Sequence, residues 1–278
     1  MSTNKEIKFT MHKTKKFFVK NRLVLHFNNI DKPYLSMYLY KNDKLDLFQT
    51  YLFEEYEVVN GLPVNINKVA DIIRELVSKI DSIQLAISSN DTIKTTIALP
   101  KISKAKAYKL YRAEIKNDEG ERKDNYLPFH ESYSHPLGHI FYTYFIPVNI
   151  VNTFAKIASL LKTKITKVDL FSHFLFNNVK SQLDEEFILH HEENGISTFV
   201  LSYNHAFSGF ASFKSDAHKA KLCYVSSIVK HAFELEKKEI ECIYSNDESI
   251  VTGLNEIRDF EVSFDTYNFK GIDLWKRG

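Results

Sequence analysis

The side chains most suggestive of chemistry form the run His190-His191-Glu192-Glu193, because imidazoles and carboxylates can ligate metal ions. Neighbouring residues of a strand point to opposite faces, so His190 and His191 would not easily hold one ion together. We therefore expect an exposed loop here rather than a metal site.

A second histidine group, His130, His135 and His139, gives no better case. Positions 135 and 139 would share a helical face, but Pro136 and Gly138 between them disrupt a helix. We expect no zinc site there. Motifs for nucleophilic catalysis are also missing: the sequence has no Gly-x-Ser-x-Gly, no Cys–His nucleophile spacing and no Walker-type loop. The sequence therefore predicts no hydrolytic chemistry, no metal and no cofactor.

Composition is that of a globular protein with one large domain or two modest ones. The chain has 278 residues, of which 44% are hydrophobic and 26% charged. A net charge of +2 gives no general case for nucleic-acid binding. Two cysteines, Cys223 and Cys242, lack CxxC spacing and indicate neither zinc nor a disulfide framework. No apolar run approaches the ~18 residues of a membrane span, so we expect a cytoplasmic protein without a signal peptide.

The first elements predict an α/β layer. The apolar positions from Val69 to Ile80 recur at helical spacing, and Asn65 or Asn67 can cap that helix. In chain order the predicted elements are strands Leu23–Phe27, Tyr34–Tyr40 and Asp46–Tyr56, a break at Gly61-Leu62-Pro63, the capped helix, and a buried parallel strand Ile83–Ser88.

The rest of the chain predicts an inserted αβ subdomain and then a second α/β unit. The insertion, roughly Ser89–Lys167, contains strand Ile93–Leu99, helix Ser103–Glu114, strand Ile140–Val148, helix Val151–Leu161 and strand Ile165–Phe171. Beyond it we expect helices Leu170–Leu183, Lys219–Lys238 and Ser249–Arg258, a hairpin across Ser197–Phe213, and strands Glu186–His190, Ile240–Tyr244 and Phe260–Phe264.

Four passages carry a resemblance to a known family. They are Val58-Val59-Asn60-Gly61 leading into Val64–Ile80, Ile93–Pro100, Tyr126-Leu127-Pro128-Phe129, and Ile243–Leu254. In this order they resemble the bacterial FtsA and PilM group of the actin-like ATPases, over about Arg22 to Phe269. The resemblance implies an actin-like (RNase H-like, duplicated) α/β fold with a small inserted αβ subdomain and a reduced second half.

The resemblance also implies domain boundaries. They are a basic leader (1–21), the first half of the core (22–88), the inserted subdomain (89–167), the reduced second half (168–266) and a C-terminal tail (267–278).

The loops that would hold nucleotide depart from the family pattern. In the first phosphate loop the expected Asp falls on His26 and the expected Gly on Asn28. The second Asp-x-Gly falls in the region of His191 and Glu193. The three adenosine-loop glycines fall on Asn246, Asp247 and Glu248. Side chains there obstruct the close backbone approach to phosphate, and carboxylates repel it. We therefore expect a pseudo-ATPase.

Both ends of the chain carry features suited to an anionic membrane surface. Seven Lys or Arg residues face a single acid, Glu6, in the first 22 positions. The tail combines aromatic, apolar and basic residues in the manner of a shortened amphipathic anchor, although Gly271 weakens a helix. The membrane-contact candidates are Phe269, Lys270, Ile272, Trp275, Lys276 and Arg277. The alternative is that Trp275 docks on the protein's own surface.

Three functions follow from the resemblance. The first is a non-catalytic, FtsA-like cell-division scaffold that links FtsZ or other division proteins to the membrane. The reduced second half removes the subdomain that receives the FtsZ tail, which counts against that contact. The second is a PilM-like pilus or secretion assembly protein that binds a peptide of a membrane partner. The third is an active ATPase with atypical loops.

Overall fold

The computed structural model describes residues 21–42, 44–118, 125–135, 138–183, 186–203, 206–214, 242–246 and 268–271. The leader before Asn21 and the predicted helices Lys219–Lys238 and Ser249–Arg258 lie outside these residues, as does the predicted strand Phe260–Phe264. So do Asp247 and Glu248.

Two five-stranded sheets form the core, and they have the same order. The first contains β1 (Asn21–Asn28), β2 (Tyr34–Lys41), β3 (Lys44–Leu52), β6 (Ser82–Ser88) and β10 (Ile165–Leu170), in the order β10-β6-β1-β2-β3. The second contains β11 (Phe187–Glu193), β12 (Ile196–Tyr203), β13 (Ala206–Lys214), β14 (Cys242–Ser245) and β15 (Asn268–Gly271), in the order β13-β12-β11-β14-β15. Read from its other edge, the first sheet has the order β3-β2-β1-β6-β10, which corresponds strand for strand to β13-β12-β11-β14-β15. The predicted duplication is therefore present in the sheets themselves.

Burial follows strand position in the first sheet. β6 is buried along its whole length and pairs in parallel with β1, as its continuous apolar run predicts. β3 is mostly exposed and lies at the edge, outside β2. The short antiparallel pair β4 (Val58–Val59) and β5 (Leu62–Pro63), preceded by a 3-10 turn at Glu55–Glu57, leads from β3 to the first helix.

Two helices pack together on the first sheet. α1 (Ile66–Leu76) begins as predicted at Asn65, whose Oδ1 accepts a 3.0 Å hydrogen bond from the Lys68 N–H. α3 (Val148–Leu160) contributes Phe154 and its neighbours at helical spacing to the same core. Phe154 lies 5.1 Å from Phe27 of β1, measured between ring centroids.

The inserted subdomain is smaller than the sequence predicts. It consists of β7 (Ile93–Pro100), α2 (Lys104–Asp118), β8 (Tyr126–His135) and β9 (Gly138–Pro147), with the sheet order β7-β9-β8. The predicted limit at Lys167 is wrong, because α3 packs into the main core and β10 bonds to β6. His130 and His135 lie in β8 and His139 lies in β9, and these two strands form an antiparallel pair.

Helix α4 (Phe171–Val179) connects the two halves. It contacts β6 and β10 of the first sheet and β12 and β13 of the second. Seven of its nine residues are buried. The apolar sequence of this helix therefore reflects its place between two sheets, with little solvent on either side.

Candidate functional site: the cleft between the two sheets

The cleft is closed by a direct contact between the two halves of the chain. His26 lies in β1, and Glu193 ends β11. The His26 Nδ1 donates to the Glu193 Oε2 over 2.8 Å, and both side chains are buried. The two residues expected in separate phosphate loops thus bind each other.

The surroundings of the pair satisfy its remaining polar atoms. The second ring nitrogen of His26, Nε2, lies 3.0 Å from the Ser88 Oγ at the end of β6. The His26 ring stacks on Phe171 at 3.4 Å between centroids, with a 5° angle between the planes. The other Glu193 oxygen, Oε1, accepts a 2.6 Å hydrogen bond from the Tyr38 hydroxyl. Buried polar groups require hydrogen-bond partners of this kind.

Two tyrosines of β2 belong to this site and were not predicted. The hydroxyl of Tyr34 lies 3.4 Å from the Glu193 Oε2, which complements the bond from Tyr38. Burial is the main reason that the pKa of each tyrosine is raised, and the neighbouring Glu193 charge adds to it. Both hydroxyls therefore stay protonated as donors. The sequence signal for these residues was the alternation Tyr34-x-Ser36-x-Tyr38, which places three hydroxyl groups on one face of a strand.

Glu193 is held ionised despite its burial. Burial by itself raises the pKa of this carboxyl, but the charge and hydrogen bond of His26 act against it. Together with His191 and the Tyr38 hydroxyl they lower the pKa to about 2. The acid is thus a fixed negative charge that is already bound to protein donors.

His191 lies beside the pair. Its Nε2 is 4.0 Å from the Glu193 Oε2, and its ring centroid is 5.6 Å from that of Phe171. Burial lowers the pKa of His191 to about 4, and the opposing effect of Glu193 does not overcome it. His191 is therefore neutral near pH 7.

His190 points away from the cleft, as strand alternation predicts. Its Nδ1 lies 2.8 Å from the Ser245 Oγ and its Nε2 lies 3.2 Å from the Ser197 Oγ. The expected exposed loop is wrong, because both histidines lie in β11 and are buried. Among the residues that the structure describes, no group of three or more His, Cys, Asp or Glu side chains is placed to hold a metal.

The first hairpin has replaced its expected glycine with a buried asparagine. Asn28 is fully buried at the end of β1, and its Nδ2 donates to the Ile30 carbonyl over 3.0 Å. The turn continues through Asp31 in a left-handed conformation, with φ of 59°. The Asn28 side chain thus occupies space beside the backbone that a glycine would leave open.

The second hairpin retains an acid-x-Gly turn, two residues later than the sequence analysis placed it. Glu193 is followed by Asn194 and Gly195, whose φ angles are 50° and 78°. These values are typical of the two central residues of a type I′ turn, for which Asn-Gly is the favoured dipeptide. The second loop therefore keeps the glycine but uses its acid to bind His26.

The predicted adenosine loop is described only at its first residue. Asn246 forms two hydrogen bonds with the Glu192 main chain: Glu192 N–H donates to Oδ1 over 2.7 Å, and Nδ2 donates to Glu192 O over 3.0 Å. Asn246 therefore fastens the end of β14 to β11.

A small cavity lies next to the pair, on the side of the inserted subdomain. Its volume is about 190 Å³, and its walls include Ser88, Thr92, Ser172 and Ser212. Ligand pockets for molecules of drug size usually measure roughly 300–1,000 Å³. The cavity is thus smaller than a pocket of that kind.

The predicted C-terminal tail begins later than the sequence suggests. Phe269 and Lys270 lie in β15, which pairs in parallel with β14. They are therefore part of a strand of the second sheet, and their contact with a membrane stays a prediction. Ile272, Trp275, Lys276 and Arg277 lie outside the described residues, so contact with lipid stays a prediction. No helix within the described ranges has the length and apolar character of a membrane span.

Comparison with known proteins gives structural matches only. Neither a family model nor a curated protein sequence matches the chain. Among solved structures, a PilM–PilN type IV pilus biogenesis complex aligns with a TM-score of 0.63 and 11% identity, covering 91% of this chain and 88% of the other.

Two further solved structures give the same result. The cytoplasmic domain of EpsL, an inner-membrane component of the Vibrio cholerae type II secretion system, aligns with a TM-score of 0.56 and 5% identity, over 91% of this chain and 90% of that one. A Bacteroides thetaiotaomicron protein with an actin-like ATPase fold and unknown function aligns with a TM-score of 0.51 and 10% identity, over 94% and 93%.

The chain has an actin-like fold. This confirms the fold class predicted from the order of the elements and from the resemblance to PilM. Identities of 5–11% support the architecture and do not transfer a function.

Proposed function

We propose that this protein is a non-catalytic actin-like scaffold of a bacterial cell-envelope machine, and that it acts through protein partners without hydrolysing ATP. The observation that carries the proposal is the buried bond between His26 and Glu193. It lies where the two phosphate loops of an active relative would face each other.

Binding a triphosphate would require the pair to separate. Breaking a buried pair leaves its partner charged and unsatisfied, which typically costs about 3–5 kcal/mol. The ionised Glu193 would also repel the phosphates at short range. Nucleotide binding would have to offset both costs before any net affinity appeared.

Pilus or secretion assembly is the machine that the structural neighbours favour. One solved neighbour is a complex named for PilM and PilN, and another is a domain of an inner-membrane secretion component. By analogy, the partner of this chain is a peptide of a membrane protein. A cell-division role with FtsZ, in the manner of FtsA, is the second proposal and rests on the sequence resemblance.

An affinity experiment tests this proposal. The tagged full chain is cross-linked in its native cells, purified, and its partners are identified by mass spectrometry. We expect a membrane protein with a short cytoplasmic segment, and a synthetic peptide of that segment should bind the purified chain. Recovery of division proteins would favour the FtsA-like role, and failure to recover any envelope protein would contradict both.

Membrane association is a separate part of the proposal. Co-sedimentation with anionic vesicles should decrease when residues 1–20 and 272–278 are deleted, because both segments are basic. Binding that is unchanged by both deletions would refute a role of the chain ends at the membrane.

One observation favours the active-ATPase alternative. Gly195 keeps the left-handed conformation that permits close approach of backbone to phosphate, and an acid stands two residues before it. If the His26 contact opened, this hairpin could still receive a phosphate. Measurement of nucleotide binding decides between the two.

A further inference from the structure

The small cavity beside the buried pair has a wall made largely of hydroxyl groups. The polar side chains that line it include Ser88, Ser89, Thr92, Lys94, Ser172 and Ser212. No carboxylate is found among the described residues of this wall. The volume of about 190 Å³ is several times the ~30 Å³ that one water molecule takes in the liquid. The cavity therefore suits a small ligand that accepts hydrogen bonds.

Two hydroxyl groups of the wall have no partner in the described part of the chain. The first is the Oγ of Ser172, a residue that is only 2% exposed. The second is the Oγ1 of Thr92, which is also buried. Buried hydroxyl groups are usually hydrogen-bonded, so two such groups in one wall require an explanation. A hydroxyl hydrogen rotates about its C–O bond, and both groups can therefore donate to a ligand in the cavity.

The other hydroxyl groups of the wall have partners within the protein. The Ser88 Oγ bonds to the His26 Nε2, and the Ser212 Oγ bonds to a threonine hydroxyl of β12. The Ser89 Oγ accepts a 3.2 Å hydrogen bond from the Asp91 N–H, which leaves its own hydrogen as a donor. The donors available to a ligand are therefore concentrated at positions 89, 92 and 172.

Two sources of positive potential are found at the same cavity. Helix α4 begins there, because Leu170 at its N-cap position and Ser172 both line the wall, and no side chain caps this helix end. The N–H groups of a first helical turn have no partner inside the helix and form the positive end of its dipole. Lys94 of β7 is the second source. Its Nζ lies 3.4 Å from the Phe210 carbonyl, and it forms no ion pair with a described residue.

We propose that this cavity binds one small oxyanion of the size of phosphate or sulfate. The Thr92 and Ser172 hydroxyls and the first N–H groups of α4 donate to its oxygens, and Lys94 supplies a positive charge. Helix N-termini bind such anions for the same reason. The His26 ring separates the anion from Glu193, because one ring nitrogen binds that acid and the other binds Ser88.

The bound anion connects three parts of the molecule. Ser88 and Ser172 belong to the first half, Lys94 belongs to the inserted subdomain, and Ser212 belongs to β13 of the second half. Binding therefore stabilises the arrangement in which these parts lie around the cavity. The anion acts as a ligand that fastens the two halves and the insertion together.

The first test measures binding of the anions themselves to the full chain. Sulfate and phosphate at high concentration stabilise proteins by exclusion, so binding is measured directly by titration calorimetry in a chloride buffer. We expect saturable binding of one phosphate or sulfate per chain at millimolar concentration, and weaker binding of acetate. No saturable binding of either tetrahedral anion would overturn the proposal, as would tighter binding of acetate.

The second test removes the charge at the cavity. Lys94→Met keeps most of the side-chain stem and should raise the dissociation constant of the anion about tenfold, because hydrogen bonds to charged groups are the strong ones. Lys101→Met is the matched control, since this exposed lysine follows the same strand but does not line the cavity. Equal effects of the two variants would contradict the site.

The third test uses the hydroxyl groups that have no protein partner. Ser172→Ala and Thr92→Val should each raise the dissociation constant of the anion roughly fivefold. In the absence of the anion neither variant should lower the urea midpoint, because each removes a buried polar group without a partner. Ser159→Ala and Thr96→Val are the controls, since both residues are exposed and lie outside the wall. Unchanged anion binding in Ser172→Ala and Thr92→Val would refute their role as ligands.

Discussion

The two halves of the core have the same sheet order, yet their first hairpins have different chemistry. The hairpin of β1 and β2 contributes a histidine and a turn without glycine. The hairpin of β11 and β12 contributes an acid and a tight Asn-Gly turn. Duplication supplied the same frame twice, and the side chains within it have become complementary.

This difference indicates how a cleft can be closed without changing a fold. A glycine and an acid at both hairpins leave space and like charges, which a cation and phosphate can bridge. A histidine at one hairpin and a glutamate at the other need no such ligand. The His26 ring nitrogen binds the acid directly, and the stacked Phe171 and the hydroxyl of Tyr38 exclude the remaining space.

Removing one partner of the buried pair should have the largest effect. His26→Ala leaves an ionised Glu193 in the cleft without its main partner, so we expect the free energy of unfolding to fall by about 3–5 kcal/mol. Urea denaturation measures this loss.

The matched double variant sharpens that result. Replacement of His26 and Glu193 together by Leu removes both polar partners, and apolar replacements of buried pairs are often neutral or stabilising. We therefore expect the double variant to be more stable than His26→Ala. Equal losses in both would mean that the pair does not act as a unit.

The second prediction concerns pH and His191. The pKa of this residue is about 4 in the fold and 6.5 in its absence, so the unfolded chain binds more protons between these values. Stability should therefore fall as the pH decreases from 6.5 towards 4, with a slope from this group of up to about 1.4 kcal/mol per pH unit.

Replacement of His191 isolates this contribution. Urea denaturation of His191→Leu should give a shallower pH dependence between pH 6.5 and 5, above the range in which Glu193 titrates. An unchanged slope would indicate that His191 is solvated or protonated in the folded chain.

The third and smallest effect concerns the tight turn of the second hairpin. Gly195 has a φ of 78°, and a Cβ there would meet no atom within 4 Å, so Gly195→Ala tests backbone strain alone. We expect a loss of about 1 kcal/mol in thermal or urea unfolding. Gly209→Ala, where no left-handed angle is required, is the control and should be less destabilising. Equal effects at both positions would contradict the importance of the tight turn.

Local sequence patterns were sufficient for most of the first half. Helical spacing predicted α1, a continuous apolar run predicted β6, and the strands β1 and β2 were also predicted, because each of these elements carries its signal in its own residues. The resemblance to PilM then supplied the overall order. The Asn-Gly dipeptide at position 194 also carried a clear turn signal, and using it would have placed the second phosphate loop correctly.

The composition of the site was harder to predict, for a physical reason. His26 and Glu193 are separated by 167 positions, and nothing local to either shows that its charge is paired. A run of two histidines and two acids looks solvated until its strand is placed between β12 and β14. The end of the inserted subdomain was predicted wrongly for a similar reason. The amphipathic pattern of α3 shows that one face is buried, but it does not show against which sheet the helix packs.

Nucleotide binding tests the central claim most directly. Thermal unfolding of the full chain with and without Mg-ATP should give the same midpoint, because the pair between His26 and Glu193 leaves no site for the phosphates. A ligand at 100 times its dissociation constant would add roughly 2.7 kcal/mol of stability. A clear upward shift with Mg-ATP would contradict the account, and the cleft would then be an active nucleotide site.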